Sequence, residues 1–132
     1  MRIYITHCSA KKDNSLKDTR KKVTPDKLYT STRVQRFIKR CKKKKARWAI
    51  FSDKYGVWFP YERHEWYDKH PSTVSEEEFK RLVEDFEEKL NDYDEIYFYY
   101  NPGRFHPIYK RLLKEVKVKG KITLFSHIDE IK

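Results

Sequence analysis

Four short apolar runs limit the possible folds of this chain more than any other feature. They occupy residues 2–6, 48–51, 96–100 and 122–125. Each run is almost continuously apolar or aromatic, which is typical of strands that are covered on both faces. The segments between the runs are long enough to hold helices, so the pattern favours parallel strands joined by crossover connections.

Three amphipathic helical patterns lie between the four runs. Ser31 or Thr32 caps the first, and Ser75 caps the second, where Glu78 three residues later completes a capping box. The third begins between Gly103 and Pro107, and Pro107 suits the first turn of a helix. The resulting order β-α-β-α-β-α-β predicts a single α/β domain over residues 1–132 with three layers, a mainly parallel four-stranded sheet flanked by helices.

The positive charge of the chain is concentrated in its first third. Residues 1–47 hold 17 Lys and Arg against 3 Asp, whereas the rest holds 14 Lys and Arg against 17 Asp and Glu. This asymmetry predicts a polyanionic partner, with nucleic acid or a nucleotide first among the candidates. The alternative is a solvated basic helix face, and the run of lysines at residues 42–45 also suits the end of a helix dipole.

Composition excludes several other classes of protein. No stretch of about 18 apolar residues is present, so we expect no membrane span. The first strand begins within two residues of the start, and two cysteines make no disulfide framework, so we expect a cytoplasmic protein. The five histidines lack metal-ligand spacing, so neither a metal nor a cofactor is expected. Three glycines and 39% charged residues resemble thermophile usage.

All four predicted strands end in polar residues. Because the carboxyl ends of parallel strands meet at one rim of a sheet, we expect a ligand cleft there. The segment after the first strand contains Cys8, Ser9 and Lys12 but no glycine, so side chains must contribute as much to anion binding as the backbone. The alternative is that strands commonly stop at polar residues without forming a site.

A long loop at residues 52–74 interleaves aromatic side chains with polar and cationic ones. Such a mixture is what base stacking and phosphate neutralisation require, and Tyr55 and Tyr61 are the candidates for stacking, with Tyr67 as a further site residue. The alternative is that the aromatic residues only attach the loop to the sheet, which we favour for Trp58 and Phe59.

Four residues are candidates for chemistry. Lys12 can contact a phosphate or act as an amine nucleophile, and Asp53 or Asp68 can act as a general base or accept from an exocyclic amine. Cys8 can be a nucleophile if neighbouring cations favour its thiolate, or simply a small buried residue. The positions expected to bind the ligand are Ser9, Tyr29, Ser31, Ser52, Tyr55, Gly56, Tyr61, Tyr67, Asn101 and Gly103.

Several short motifs follow one another along the first half of the chain. They are C-S-x-x-K at residues 8–12, L-Y-x-S at 28–31, S-x-x-Y-G at 52–56, P-Y at 60–61 and Y-D at 67–68. This series resembles a family of uncharacterised small prokaryotic α/β domains related to the YaaA-like superfamily, which is linked to peroxide stress and DNA binding. The resemblance implies that the matched residues line one cleft.

The chain is also similar, more loosely, to the base-modifying domain of archaeosine synthase. In that domain a cysteine is followed by a lysine and later by a tyrosine and a serine. The likeness implies that Lys12 takes the part of a reactive lysine. The Lys-Pro-Tyr continuation of the motif is absent here, because Asp13 and Asn14 follow Lys12.

Two functions are consistent with these observations. The first is an α/β domain that binds nucleic acid or a nucleotide and acts on a nucleobase or nucleotide in a cleft at the strand ends. The alternative is a DNA- or RNA-binding module without catalysis that uses its basic N-terminal third.

Overall fold

A central sheet of five strands organises the molecule, and the computed structural model describes all 132 residues. The strands are β1 (Arg2–His7), β2 (Lys22–Val23), β3 (Trp48–Ser52), β4 (Gly56–Trp58), β5 (His64–Glu65), β6 (Glu95–Tyr99) and β7 (Lys121–Phe125). The helices are α1 (Pro25–Leu28), α2 (Thr32–Lys43), α3 (Glu76–Leu90) and α4 (Pro107–Glu115). The central sheet has the order β4-β3-β1-β6-β7, and β2 pairs with β5 in a separate small sheet.

The predicted α/β class is confirmed, but the predicted strand count is wrong. The four predicted strands are mutually parallel, as expected. A fifth strand, β4, adds to the edge in the antiparallel direction, where Ser52 pairs with Gly56. The sheet is therefore mixed. Sequence periodicity missed β4 because three residues after a tight turn carry too short a pattern to indicate a strand.

Helices cover both faces of the sheet. On one face, Phe37 of α2 stacks on Tyr99 of β6, with ring centroids 5.9 Å apart. On the other face, Phe51 of β3 contacts both Phe86 of α3 and Tyr109 of α4. Three layers result, and the apolar side chains between them form one continuous core. None of the helices combines the length and apolar character that crossing a membrane requires.

The helix starts follow the predicted capping chemistry. The Ser31 hydroxyl accepts from the Val34 N–H at the start of α2, and Ser75 with Glu78 forms the predicted capping box of α3. Helix α2 ends at Lys43, and Lys45 adopts a φ of 53°, which turns the chain toward β3.

The sheet order creates a switch point between β1 and β6. These strands are parallel neighbours, yet the chain leaves β1 toward α2 on one face and leaves β6 toward α4 on the other. Connections that diverge in this way leave a crevice at the carboxyl ends of the two strands, where α/β proteins bind ligands.

Candidate ligand-binding site

A cavity of about 630 Å³ opens at the carboxyl ends of β1, β3 and β6. Its wall includes the segment after β1, the first turn of α2, the end of β3, the loop before α3 and the first turn of α4. Half of the predicted site residues line this cavity. They are Cys8, Ser9, Lys12, Ser31, Asp53, Tyr67 and Asn101.

Two predicted binding residues lie behind the cavity wall instead of in it. The hydroxyls of Tyr29 and Tyr67 lie 2.6 Å apart, and the Ser52 hydroxyl donates to the Tyr67 oxygen at 3.1 Å. Tyr29 and Ser52 are completely buried. They therefore fix the orientation of Tyr67, and a ligand in the cavity contacts Tyr67 alone of the three.

Tyr55 and Gly56 stabilise the β3–β4 turn and do not line the cavity. The Tyr55 ring stacks on His64 with centroids 4.0 Å apart, and its hydroxyl donates to the Glu65 carbonyl at 3.0 Å. Gly56 has a φ of 73°, a conformation that other residues rarely adopt. A Cβ there would overlap a carboxylate oxygen of Asp85.

Three further predicted site residues lie outside the cavity. Tyr61 is 76% exposed and stacks on Phe59, away from the strand ends. Asp68 follows Tyr67 but is exposed to solvent. Gly103 is exposed in the loop before α4, where its N–H donates to the Asn101 side chain at 3.0 Å.

Lys12 is the most unusual residue of the cavity. Its main chain forms an isolated β-bridge with Tyr29, and the residue is only 8% exposed. Its Nζ lies 4.3 Å above the centroid of the Tyr67 ring and forms neither an ion pair nor a hydrogen bond with the protein. Most of the side chain is buried, but the ammonium is open to the cavity, so its three donors are free to bind an acceptor there.

Asp53 supplies the only carboxylate of the cavity wall. It is 3% exposed, and burial raises the pKa of its carboxyl, while the charges of Lys12 and Lys69 act in the opposite direction. Lys69 is itself paired with Glu78 at 2.9 Å. A carboxyl with a raised pKa that faces a cavity can exchange a proton or accept a hydrogen bond from a ligand.

Cys8 is held as a neutral thiol. Its sulfur lies 3.3 Å from the Tyr109 hydroxyl and donates to Asp53 at 3.6 Å. Burial, and then the neighbouring Asp53 carboxylate, raise the pKa of the thiol to about 11. Of the two roles predicted for Cys8, its surroundings therefore favour that of a small buried residue over that of a nucleophile.

Arg33 also lines the cavity, although no sequence motif indicated it as a site residue. Its guanidinium donates to the Thr6 hydroxyl at 2.6 Å and to the His7 carbonyl at 2.8 Å, and it has no carboxylate partner. Burial and the Arg33 charge lower the pKa of His7 to about 3, so the imidazole stays neutral. The position of Arg33 in the first turn of a capped helix was the signal available in the sequence.

Other cavity residues were also missed, most of them because they come from loops that periodicity does not describe, whereas Tyr109 lies in α4. They are Lys11, Lys69, His70, Arg104, His106 and Tyr109. The first turns of α2 and α4 both reach the cavity, and helix N-termini carry a partial positive charge. No group of three or more His, Cys, Asp and Glu side chains in the chain is arranged to hold a metal ion.

Taken together, these features define a three-layer α/β domain with a polar, largely cationic cavity at the switch point of its sheet. The chain belongs to the DUF6884 family, a family of unknown function, whose model matches residues 3–121. The match includes every residue that lines the cavity. Searches of the curated proteins and of the solved structures gave no significant match. The prediction of an uncharacterised small-domain family is thus confirmed at that level.

Proposed function

We propose that the cavity binds a phosphorylated nucleoside, either free or as part of a nucleic acid, with Lys12 as the partner of the phosphate. The observation that carries this proposal is the Lys12 ammonium, which ends a mostly buried side chain and faces the cavity without any acceptor from the protein. An anionic oxygen of a phosphate supplies both the hydrogen-bond acceptor and the negative charge that the Lys12 ammonium does not find in the protein.

The charges of the cavity favour an anion of more than one negative charge. Lys12 and Arg33 have no carboxylate partners, and Lys11 and Arg104 add exposed cations at the wall. Asp53 offsets one of these charges at most, and the first turns of α2 and α4 add partial positive charge. A phosphate monoester fits this balance because it carries close to two negative charges at neutral pH.

The remaining parts of the cavity suit the nucleoside. Its volume of about 630 Å³ lies within the range of small-molecule sites. His70 and His106 contribute imidazole rings to the wall. Asp53 can accept a hydrogen bond from an exocyclic amine or take a proton from the ligand, which is the role we propose for it if the domain acts on a nucleobase. The resemblance to the YaaA-like superfamily and to archaeosine synthase also supports a ligand that contains a nucleobase.

Calorimetric titration of nucleosides and their 5′-monophosphates tests the proposal. The wild type should bind at least one monophosphate more tightly than the corresponding nucleoside. Lys12→Met should weaken that binding by about 10–100-fold, because a charge-assisted hydrogen bond contributes about 1.5–3 kcal/mol.

Lys45→Met is the matched control, since Lys45 is exposed at the end of α2 and far along the chain from the cavity wall. It should leave the affinity within about twofold, as expected for an exposed charge. Equal effects of the two variants, or equal binding of nucleoside and monophosphate, would contradict the role of Lys12.

A second candidate function is a nucleic-acid-binding module without chemistry. The observation that favours it is the exposed face of α2, where Arg36, Lys39 and Lys43 line one shallow depression without ion pairs. This function predicts binding of duplex DNA or RNA that falls with salt at about 0.9 log units per phosphate neutralised, and no binding of mononucleotides.

A further inference from the structure

A second basic depression lies beside the cavity. It has a volume of about 520 Å³, and we call it the basic groove. Its wall contains four cations, Lys21, Lys22, Lys27 and Arg63, and a single carboxylate. We propose that the basic groove binds the sugar–phosphate backbone of a single-stranded nucleic acid whose terminal nucleotide occupies the cavity. This inference rests on the proposed function of the cavity.

The four cations of the basic groove are free to bind an external anion. Lys21, Lys22 and Arg63 are exposed, and none of the four belongs to an ion pair in the protein. The carboxylate of Asp13 already accepts from the N–H and the hydroxyl of Ser15, at 3.0 and 2.7 Å. The groove thus presents an excess of positive charge along a concave surface, which is how backbone-tracking sites are built.

The basic groove and the cavity share one wall. Residues 11–13 pair with residues 28–30: the Asp13 N–H donates to the Leu28 carbonyl at 2.9 Å, and the Thr30 N–H donates to the Lys11 carbonyl at 3.2 Å. Lys12 lines the cavity and its neighbour Asp13 lines the groove. Because residues 11–13 are extended, the side chains of Lys12 and Asp13 lie on opposite sides of this segment, so the two depressions flank it and a strand that occupies both crosses over it.

The small sheet holds the groove in a fixed shape. Lys22 of β2 lies in register with Glu65 of β5, and Val23 with His64, which connects the loop after β1 to the loop after β4. Arg63 directly precedes β5 and so lies opposite the end of β2. Cations from two distant parts of the sequence are thereby brought to one surface.

A single strand fits these two sites better than a duplex. The Lys12 ammonium is reached only inside the cavity, so the nucleotide that contacts it must be unpaired. Duplex nucleic acid presents paired bases, and their extrusion requires unstacking energy that a free strand end does not. The exposed lysines at the end of α2 offer no comparable cavity.

Binding of a 5′-phosphorylated 12-nucleotide single strand, prepared as DNA and as RNA, tests the inference. The groove variant is the triple substitution Lys21→Gln, Lys22→Gln and Arg63→Gln. It should weaken oligonucleotide binding at least tenfold near 0.1 M salt and reduce the salt slope by about 2, at about 0.7 per phosphate contact of a single strand. It should leave mononucleotide binding within about twofold, because the cavity is unchanged.

The control variant removes the same number of charges just beyond the end of α2 through Lys44→Gln, Lys45→Gln and Arg47→Gln, which are all exposed. It should change neither the oligonucleotide affinity nor the mononucleotide affinity by more than about twofold, as expected for separate exposed charges. Equal weakening by both triple variants overturns the inference, because binding then follows net charge alone. Tighter binding of the matching duplex than of the strand also overturns it.

Mononucleotide binding separates this inference from the proposed function. If mononucleotides bind and the oligonucleotide binds no more tightly, the groove assignment fails while the function of the cavity stands. If only the oligonucleotide binds, and the groove variant weakens it, the groove binds the backbone, but the proposed function of the cavity fails and the placement of a terminal nucleotide there fails with it. The relative affinity of the DNA and RNA strands then identifies which nucleic acid the groove prefers.

Discussion

The side chains that matter most in the cavity differ in how far the sequence reveals them. Lys12 could be identified because it follows a strand within a run of polar residues, and Asp53 because it ends the second predicted strand. The residues that contact these two side chains could not be identified from the sequence. Burial of Lys12 depends on Tyr67, which lies 55 positions away, and no local pattern encodes that contact. Arg33 was missed for the same reason, since its acceptors belong to β1.

His7 predicts how stability depends on pH. The unfolded imidazole takes up a proton near its ordinary pKa of about 6.5, whereas burial and Arg33 lower the pKa of His7 in the fold to about 3. Acid therefore favours the unfolded chain. The free energy of unfolding should fall by on the order of 4 kcal/mol as the pH drops through this window.

Denaturant unfolding of His7→Asn and wild type across that pH range measures this effect. Asn retains a donor for the Cys8 carbonyl, which the imidazole contacts at 3.0 Å, but it does not titrate. Its unfolding energy should change with pH less steeply than that of the wild type. His127→Asn is the control, because His127 is exposed and should leave the slope unchanged. Parallel pH profiles for His7→Asn and wild type would show that His7 titrates normally.

At the level of elements, long patterns were predicted correctly and short ones were not. The four parallel strands and the three long helices follow from apolar runs, stripes and caps that extend over several residues. Strand β4, the small sheet and the four-residue helix α1 carry no such pattern. They form because neighbouring segments already fixed by the sheet offer them partners, as β3 does for β4.

Gly56 illustrates a residue whose role belongs to an element and not to a ligand. Gly56→Ala should lower the free energy of unfolding by about 2 kcal/mol or more, because a side chain at a φ of 73° is strained and displaces Asp85. That displacement breaks the 2.7 Å hydrogen bond from the Val57 N–H and the 2.8 Å ion pair with Lys89.

Urea unfolding of Gly56→Ala and Gly103→Ala checks this assignment. Gly103 is exposed, and a Cβ there meets only the Asn101 side chain at 3.6 Å, so its variant should differ from wild type by less than about 0.5 kcal/mol. A Gly56→Ala variant as stable as Gly103→Ala would show that the β3–β4 turn tolerates a side chain.

Across the whole molecule, charge asymmetry and topology converge on one end of the sheet. The basic first third of the sequence supplies both the segment after β1 and the start of α2, and these flank the switch point. Alternating elements made the existence of a rim cleft predictable from sequence. The depth of this cleft and the wall that it shares with the basic groove could not be predicted, since both depend on how two long loops fold over the strand ends.

The central claim is that a phosphorylated nucleoside enters the cavity and contacts Lys12. Amide chemical-shift mapping of the ¹⁵N-labelled protein during titration with adenosine, guanosine, cytidine and uridine 5′-monophosphates tests it most directly. We predict that at least one monophosphate moves the amides of residues 9–12, 32–33 and 101–106 most, and that Lys12→Met reaches the same shifts only at about 10–100-fold higher monophosphate concentration. Shifts that are largest at residues 36–45, or that persist unchanged in Lys12→Met, would contradict the claim.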